Sequence, residues 1–255
     1  MLVAPDYLSA SSIATFHQCP LKYKYSRIDN LKEPPTQETL LGTFVHEILE
    51  VFYKLDPSDR TIQNARHIAS TIWEHYRDPA TTLTKSAQEL KDFRWRAWFC
   101  VENLWKVENP EHVSLNGTET EFIGDIDGVK VKGIIDRWVI NDEGAIDVSD
   151  YKTGKVPRKE WRDDKFDQLV IYGILIGDAH KKEIGSLDLI YLKEGVTLNF
   201  SPTQERISKV KEHIVTTRKM IDERCQSEDF EYRTSNLCGW CHFKTICPAW
   251  ARKHK

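Results

Sequence analysis

The chain has 255 residues, 40% hydrophobic and 29% charged, enough for one large domain, or a domain with an appendage, around a substantial core. Its 36 basic and 39 acidic residues leave a formal charge of −3, so contact with nucleic acid must come from a local basic patch, not from a global field. The start, Met1-Leu-Val-Ala-Pro-Asp6, has no basic region ahead of an apolar run, and the longest apolar run, Leu169 to Ile176, is too short to span a bilayer; the expectation is an intracellular, cytoplasmic protein with no membrane partner.

Ser9 to Cys19 predicts a short Ser-capped helix stopped at Pro20. The basic and aromatic run Lys22-Tyr-Lys-Tyr-Ser-Arg27 is read as a solvated face, with phosphate contact as its functional alternative. Leu41, Val45, Ile48 and Phe52 recur at helical spacing, which predicts an amphipathic helix over Gly42 to Leu55, with His46 flanking the apolar stripe. Two more helices follow, Thr61 to Arg77 and Lys85 to Glu108, separated by a break at Asp78-Pro79. The aromatic residues of the latter, Phe93, Trp95, Trp98, Phe99 and Trp105, are read as core, with stacking on unpaired bases as the alternative.

From Glu111 the periodicity changes to alternation. Val113 to Ile126, Val129 to Ile140 and Ala145 to Tyr151 predict an antiparallel meander turning at Asp127-Gly128 and Glu143-Gly144. A helix over Trp161 to Ile176, strands over Ser186 to Lys193 and Thr197 to Phe200, and a long helix over Pro202 to Arg224 complete the pattern. The fold class expected is α/β.

Two strands place charge where their own pattern calls for core. Ile146, Val148, Asp150 and Lys152 share a face, as do Ile134, Asp136, Trp138 and Ile140. An inward carboxylate or ammonium must be paired, hydrogen-bonded or bound to a metal. Paired strands can bring Asp136 and Asp150 to one ion, and two carboxylates suit a hard cation such as Mg²⁺. Gln168 and Tyr172, four apart on the next helix, share a face from which an amide and a phenol can orient a phosphate or reach the metal site.

Together these segments resemble the PD-(D/E)XK nuclease superfamily in its RecB-like branch, which includes CRISPR-associated RecB-like exonucleases. Gly42-Thr-Phe-Val-His46-Glu resembles the branch's helical histidine motif, Gly133-Ile-Ile-Asp136-Arg its first acid strand, and Asp150-Tyr-Lys152-Thr-Gly154 its second acid and lysine. Gln168-Leu-Val-Ile-Tyr172 resembles its Gln-x-x-x-Tyr motif. The resemblance implies a single nuclease domain over 1–255 with a restriction-endonuclease-like core. That core would be a central mixed sheet flanked by helices, catalytic over 111–200, with an N-terminal segment (1–40), a helical region (41–110) and a C-terminal helix with a Cys-rich segment (201–255). It further implies DNA as substrate, Mg²⁺ or Mn²⁺ held by His46, Asp136, Asp150 and the Tyr151 carbonyl, and Lys152 orienting or activating the attacking water, with Gln168 and Tyr172 beside them. The family often adds a glutamate before the first acid strand; Glu119 and Glu121 both qualify, and the sequence does not choose between them.

Six cysteines are unevenly placed, with Cys238, Cys241 and Cys247 crowded near the C-terminus. In a reducing compartment such a cluster indicates a metal or iron–sulfur site more often than a disulfide framework. Three thiolates need a fourth, and four suit either a [4Fe–4S] cluster or tetrahedral zinc. RecB-like nucleases with one N-terminal and three C-terminal cysteines resemble this pattern, which implies Cys19 as the fourth ligand and the cluster over zinc, as a staple between chain ends. Cys100 and Cys225 are read as small buried or unremarkable thiols.

The chain lacks a glycine-rich phosphate loop, so helicase activity would belong to a partner protein in recombination. The competing readings are a DNA-end or single-strand binding module that keeps the fold and cluster without cleavage, and a zinc-stabilised scaffold without nucleic acid.

Overall fold

The computed structural model describes residues 2–253; of the terminal Ala-Arg-Lys-His-Lys stretch, the last two residues lie outside the described part. Helix α1 (Ala10–Gln18) starts at a reciprocal cap between Ser9 and Ser12 and ends where Cys19 turns extended ahead of Pro20. Pro20 then opens α2 (Pro20–Tyr23), which runs into a π-helical turn over Lys24–Ile28.

Helix α3 (Gln37–Tyr53) begins five residues before the predicted Gly42, because Thr36 and Thr39 cap one another at its start. The predicted stripe Leu41, Val45, Ile48 and Phe52 is buried throughout. Helix α4 (Ile62–Leu83) runs through Asp78-Pro79, against the predicted break. Tyr76 and Ala80 are buried on either side of the proline, and the hydroxyls of Thr81, Thr82 and Thr84 donate to the carbonyls of Arg77, Asp78 and Ala80, so packing and side-chain hydrogen bonds carry the helix past a missing amide. The predicted third helix divides at Asn103 into α5 (Ala87–Glu102) and α6 (Leu104–Val107).

Strands β1 (Gly117–Ile126), β2 (Val129–Ile140) and β3 (Ile146–Lys152) follow, then helix α7 (Asp163–His180), β4 (Ile184–Tyr191), β5 (Val196–Phe200), α8 (Gln204–Ser227) and α9 (Pro248–Lys253). Asp127 and Gly128 turn the first hairpin with positive φ at both positions, the conformation a two-residue hairpin loop needs. The sheet order is β1-β2-β3-β4-β5. β2 and β3 are antiparallel, β3 and β4 parallel across the α7 crossover, and β4 and β5 antiparallel: a mixed sheet with a meander at one side, as expected.

The chain divides into two compact units, one of Met1–Pro34, Ile123–Gly133 and Thr203–Lys255, the other of Pro35–Phe122 and Ile134–Pro202. The core of the larger unit is built from α3, α4 and α5 with Tyr151, Ile190 and Leu192. In the smaller one Leu8 pairs with Val131, and Ile13, Phe16, Tyr23, Val210, Ile214, Ile221 and Cys225 are buried. Its Lys22–Arg27 run is largely internal in its charge balance: Lys22 pairs with Glu33 and Lys24 with Asp29, while Tyr23 is fully buried.

Candidate active site

Strand β3 is covered on both faces, so its alternation places polar groups in the interior on either side. On one face, Asp150 follows Ile146 and Val148 and is only 2% exposed. The antiparallel register pairs Arg137 with Ser149; one step further along sets Asp136 opposite Asp150. Asp136 Oδ2 accepts the Tyr151 amide at 2.8 Å. Lys152 Nζ lies 2.5 Å from Asp150 Oδ2, yet that buried oxygen lacks a well-directed hydrogen bond. From α7, the Gln168 amide donates to Asp150 Oδ1 at 3.1 Å and to the Tyr172 hydroxyl at 2.7 Å.

His46 reaches this group from α3. Its Nδ1 lies 3.4 Å from Asp136 Oδ2 and 3.5 Å from Glu119 Oε1, and its Nε2 donates to the Tyr151 carbonyl at 2.9 Å. Glu119 belongs to β1, where it adopts a positive φ of 43°. A non-glycine residue in the left-handed region within a strand is strained. Ligand atoms of His46, Glu119 and Asp136 lie within 4.8 Å of one another, the one such group among the described residues.

The other face of β2 and β3 holds a second polar cluster. Arg137, 8% exposed, donates to Glu108 Oε1 at 2.6 Å, to the Tyr151 hydroxyl at 3.1 Å and to Ser149 Oγ at 3.2 Å. Tyr53 bonds Glu108 and stacks on Tyr151. This cluster locks the ring of Tyr151, whose amide and carbonyl hold Asp136 and His46.

Electrostatics follow from burial and crowding. Burial and the neighbouring Asp136 push Asp150 up to about 6, against the pull of Lys152. Burial lowers His46, but the Asp136 and Glu119 carboxylates outweigh it and hold the imidazole up to about 10. Lys152 is likewise opposed by burial and raised by Asp150, so it stays an ammonium. Three carboxylates share a small volume with one imidazole, and a buried oxygen lacks a directed partner. A hard divalent cation satisfies such a donor set.

The residues singled out in the sequence, His46, Asp136, Asp150, Tyr151, Lys152, Gln168 and Tyr172, are therefore gathered in one unit. Glu119 joins them. In a regular strand it shares a face with Glu121, so alternation does not separate the two; the left-handed turn of the backbone at Glu119 does. Arg137 and Glu108 also escaped the sequence reading, Arg137 because a basic residue on an alternating strand reads as solvent-facing.

Cys19, Cys238, Cys241 and Cys247 lie in the other unit, each half-buried. The Arg233 amide donates to Cys19 Sγ at 3.4 Å and the Ser235 amide to Cys238 Sγ at 3.3 Å. Among the described residues, no three of these sulfurs gather within 4.8 Å. Cys100 and Cys225 are buried, as expected.

Similarities to known proteins agree with this geometry. The chain is 22% identical to the Gene 69 protein of Mycobacterium phage L5, covering 94% of this chain and 95% of that protein. It is 23% identical to the Gene 69 protein of Mycobacterium phage D29, with 94% and 96% covered. The crystal structure of a candidate exonuclease from Eubacterium rectale superposes with a TM-score of 0.61 at 13% identity, over 97% of this chain and 88% of that one, a likeness of fold alone. Residues 7–248 match the PD-(D/E)XK nuclease superfamily from before α1 to the last cysteine-rich turn. With its mixed sheet and its Asp-x-Lys strand beside a second acid, the chain belongs to the PD-(D/E)XK nuclease superfamily and has its restriction-endonuclease-like fold.

Proposed function

We propose that this chain is a Mg²⁺- or Mn²⁺-dependent deoxyribonuclease of the RecB-like branch, working as an exonuclease in recombination, repair or phage DNA processing. The observation that carries the reading is the convergence of Asp150 and Lys152 from β3, Asp136 from β2, Glu119 from β1 and His46 from α3. When bound, the ion supplies Lewis acidity toward the scissile phosphate and a stronger nucleophile at neutral pH. His46, Glu119, Asp136 and Asp150 would hold it. The Tyr151 carbonyl, earlier expected as a ligand, is engaged by His46 Nε2, and in our reading it fixes the tautomer that leaves Nδ1 for the ion. Lys152, held as an ammonium, orients water and stabilises charge building on the phosphate oxygens. Tyr172 accepts from Gln168, which leaves its own hydroxyl proton for a phosphate oxygen.

Cys19, Cys238, Cys241 and Cys247 would hold a [4Fe–4S] cluster. Cys19 and Cys247 lie close enough to Cys241 to raise its thiol together with burial, a grouping that four thiolate ligands of one cluster need. Amide hydrogen bonds to Cys19 and Cys238 suit sulfur ligands of such a cluster.

The test is digestion of end-labelled single- and double-stranded DNA with Mg²⁺ or Mn²⁺. Asp150→Ala should lower cleavage more than about a hundredfold with an unchanged circular dichroism spectrum. Wild-type cleavage by that variant would overturn the reading, and a mobility shift of uncut DNA by the wild-type protein would favour the binding module.

A further inference from the structure

Outside the acidic site, the larger unit carries a groove of about 480 Å³ lined by Phe44 of α3, Arg66 and Trp73 of α4, and Arg94, Trp95 and Trp98 of α5. We propose that this groove is a subsite for single-stranded DNA, in which a base stacks on Trp95 and phosphates meet Arg66, Arg94 and Lys91. That the strand is DNA rests on the nuclease reading; the groove itself is argued from its chemistry.

Helix α5 buries Phe93, Ala97, Cys100 and Val101 on one side, and Trp95 falls off that stripe with 62% of its surface exposed. The expectation that the aromatic residues of this helix are core therefore fails for Trp95, and also for Phe99, which is exposed. An exposed indole contributes nothing to the core but offers a flat π-face to a base. Beside it the guanidinium of Arg66 lies 4.9 Å from the ring of Trp98, and that of Arg94 lies 4.8 Å from the ring of Trp73. A guanidinium held over an indole face keeps its N–H donors at the rim of the ring for phosphate and base edges.

Charge complementarity supports an anionic strand. Arg66 of α4 and Lys91 and Arg94 of α5 make no ion pair among the described residues, whereas Arg96, also on α5, pairs with Glu38. This is the local basic patch that a chain of net charge −3 needs to hold nucleic acid. Helix α3 ties the groove to the acidic site. Phe44 lines the groove and stands two positions, about 200° of helical turn, from His46. The groove and the acidic residues therefore flank opposite faces of α3.

The test measures binding apart from cleavage. A labelled oligothymidylate is titrated into the full chain in EDTA, with tryptophan fluorescence and anisotropy as readouts. Expected results are quenching on binding, a Kd about tenfold weaker for Trp95→Ala, and a salt slope reduced by about 0.7 for each of Arg66→Ala and Arg94→Ala. Trp240→Ala, which removes a more exposed indole in the other unit, should leave Kd unchanged. Unchanged Kd in Trp95→Ala and in both arginine variants would overturn the proposal, as would groove-dependent quenching by an acidic apolar peptide but not by oligothymidylate. If the wild type binds through the groove but cleaves nothing with Mn²⁺, the subsite stands and the nuclease reading falls. If it cleaves and the groove variants bind like the wild type, the reverse holds.

Discussion

Asp150 and His46 make the metal-free site sensitive to pH in ways whose signs can be worked out. His46 titrates near 6.5 in an unfolded chain and is held up to about 10 in the fold. Its protonation therefore stabilises the protein fully below pH 6.5, and that contribution is lost as pH rises through about 10. Asp150 moves from 3.8 to about 6, so its contribution falls as pH rises between those values and stays reduced above them. In EDTA, melting temperature should decline from pH 6.5 toward 10, and His46→Gln should flatten that decline. Mn²⁺ should raise the melting temperature more at about pH 8 than at about pH 5.5, because binding displaces the His46 proton and, in acid, the Asp150 proton as well. Equal shifts at both pH values, read by scanning fluorimetry, would contradict the assignment of these ligands. On the opposite face, Arg137 and Glu108 are both largely buried. Arg137→Ala strands a carboxylate and should cost about 3–5 kcal/mol in urea unfolding, whereas Arg137→Met with Glu108→Leu should recover much of that loss. A loss confined to the single variant would identify the cluster as an internally compensated pair.

Elements depart from their local signals where packing outweighs them. Helix α4 continues beyond Pro79 because Ala80 is fully buried and threonine hydroxyls serve the carbonyls around it. The proline still lacks an amide for the carbonyl of His75, so Pro79→Ala should stabilise the chain by up to about 3 kcal/mol. A lower melting temperature would mean that the ring itself is needed in the packing. Strand β1 shows the converse: its alternation is legible, but the left-handed residue at Glu119 changes which carboxylate reaches His46. Period-2 reasoning assumes an unbroken pleat and cannot locate such a turn. Helix α3 serves two surfaces at once, with His46 toward the carboxylates and Phe44 lining the groove, as 3.6-residue periodicity allows.

At the scale of the whole molecule, the proposed cluster would tie residues 228 positions apart, Cys19 and Cys247. The segment from Asn236 to Ile246 is built of short 3₁₀ turns, with Leu237, Trp240 and Ile246 exposed, so it has little apolar burial of its own to hold it. Cys241→Ala should therefore remove visible absorbance and iron from anaerobically purified protein and lower its melting temperature, while a colourless wild type with stoichiometric zinc would decide for the other metal. No helix among the described residues is long and apolar enough to cross a membrane. The sequence by itself determined the mixed α/β order, the helical stripe of α3 and the anomaly at Asp136, Asp150 and Lys152, because periodicity and the penalty for burying charge are local properties of a strand or helix. Tertiary structure alone decided that Glu119 and not Glu121 meets His46, that Arg137 is internal, and that Trp95 faces a groove lined by cations. Each of those depends on which neighbour covers a residue, and that is set by packing between elements distant in the chain.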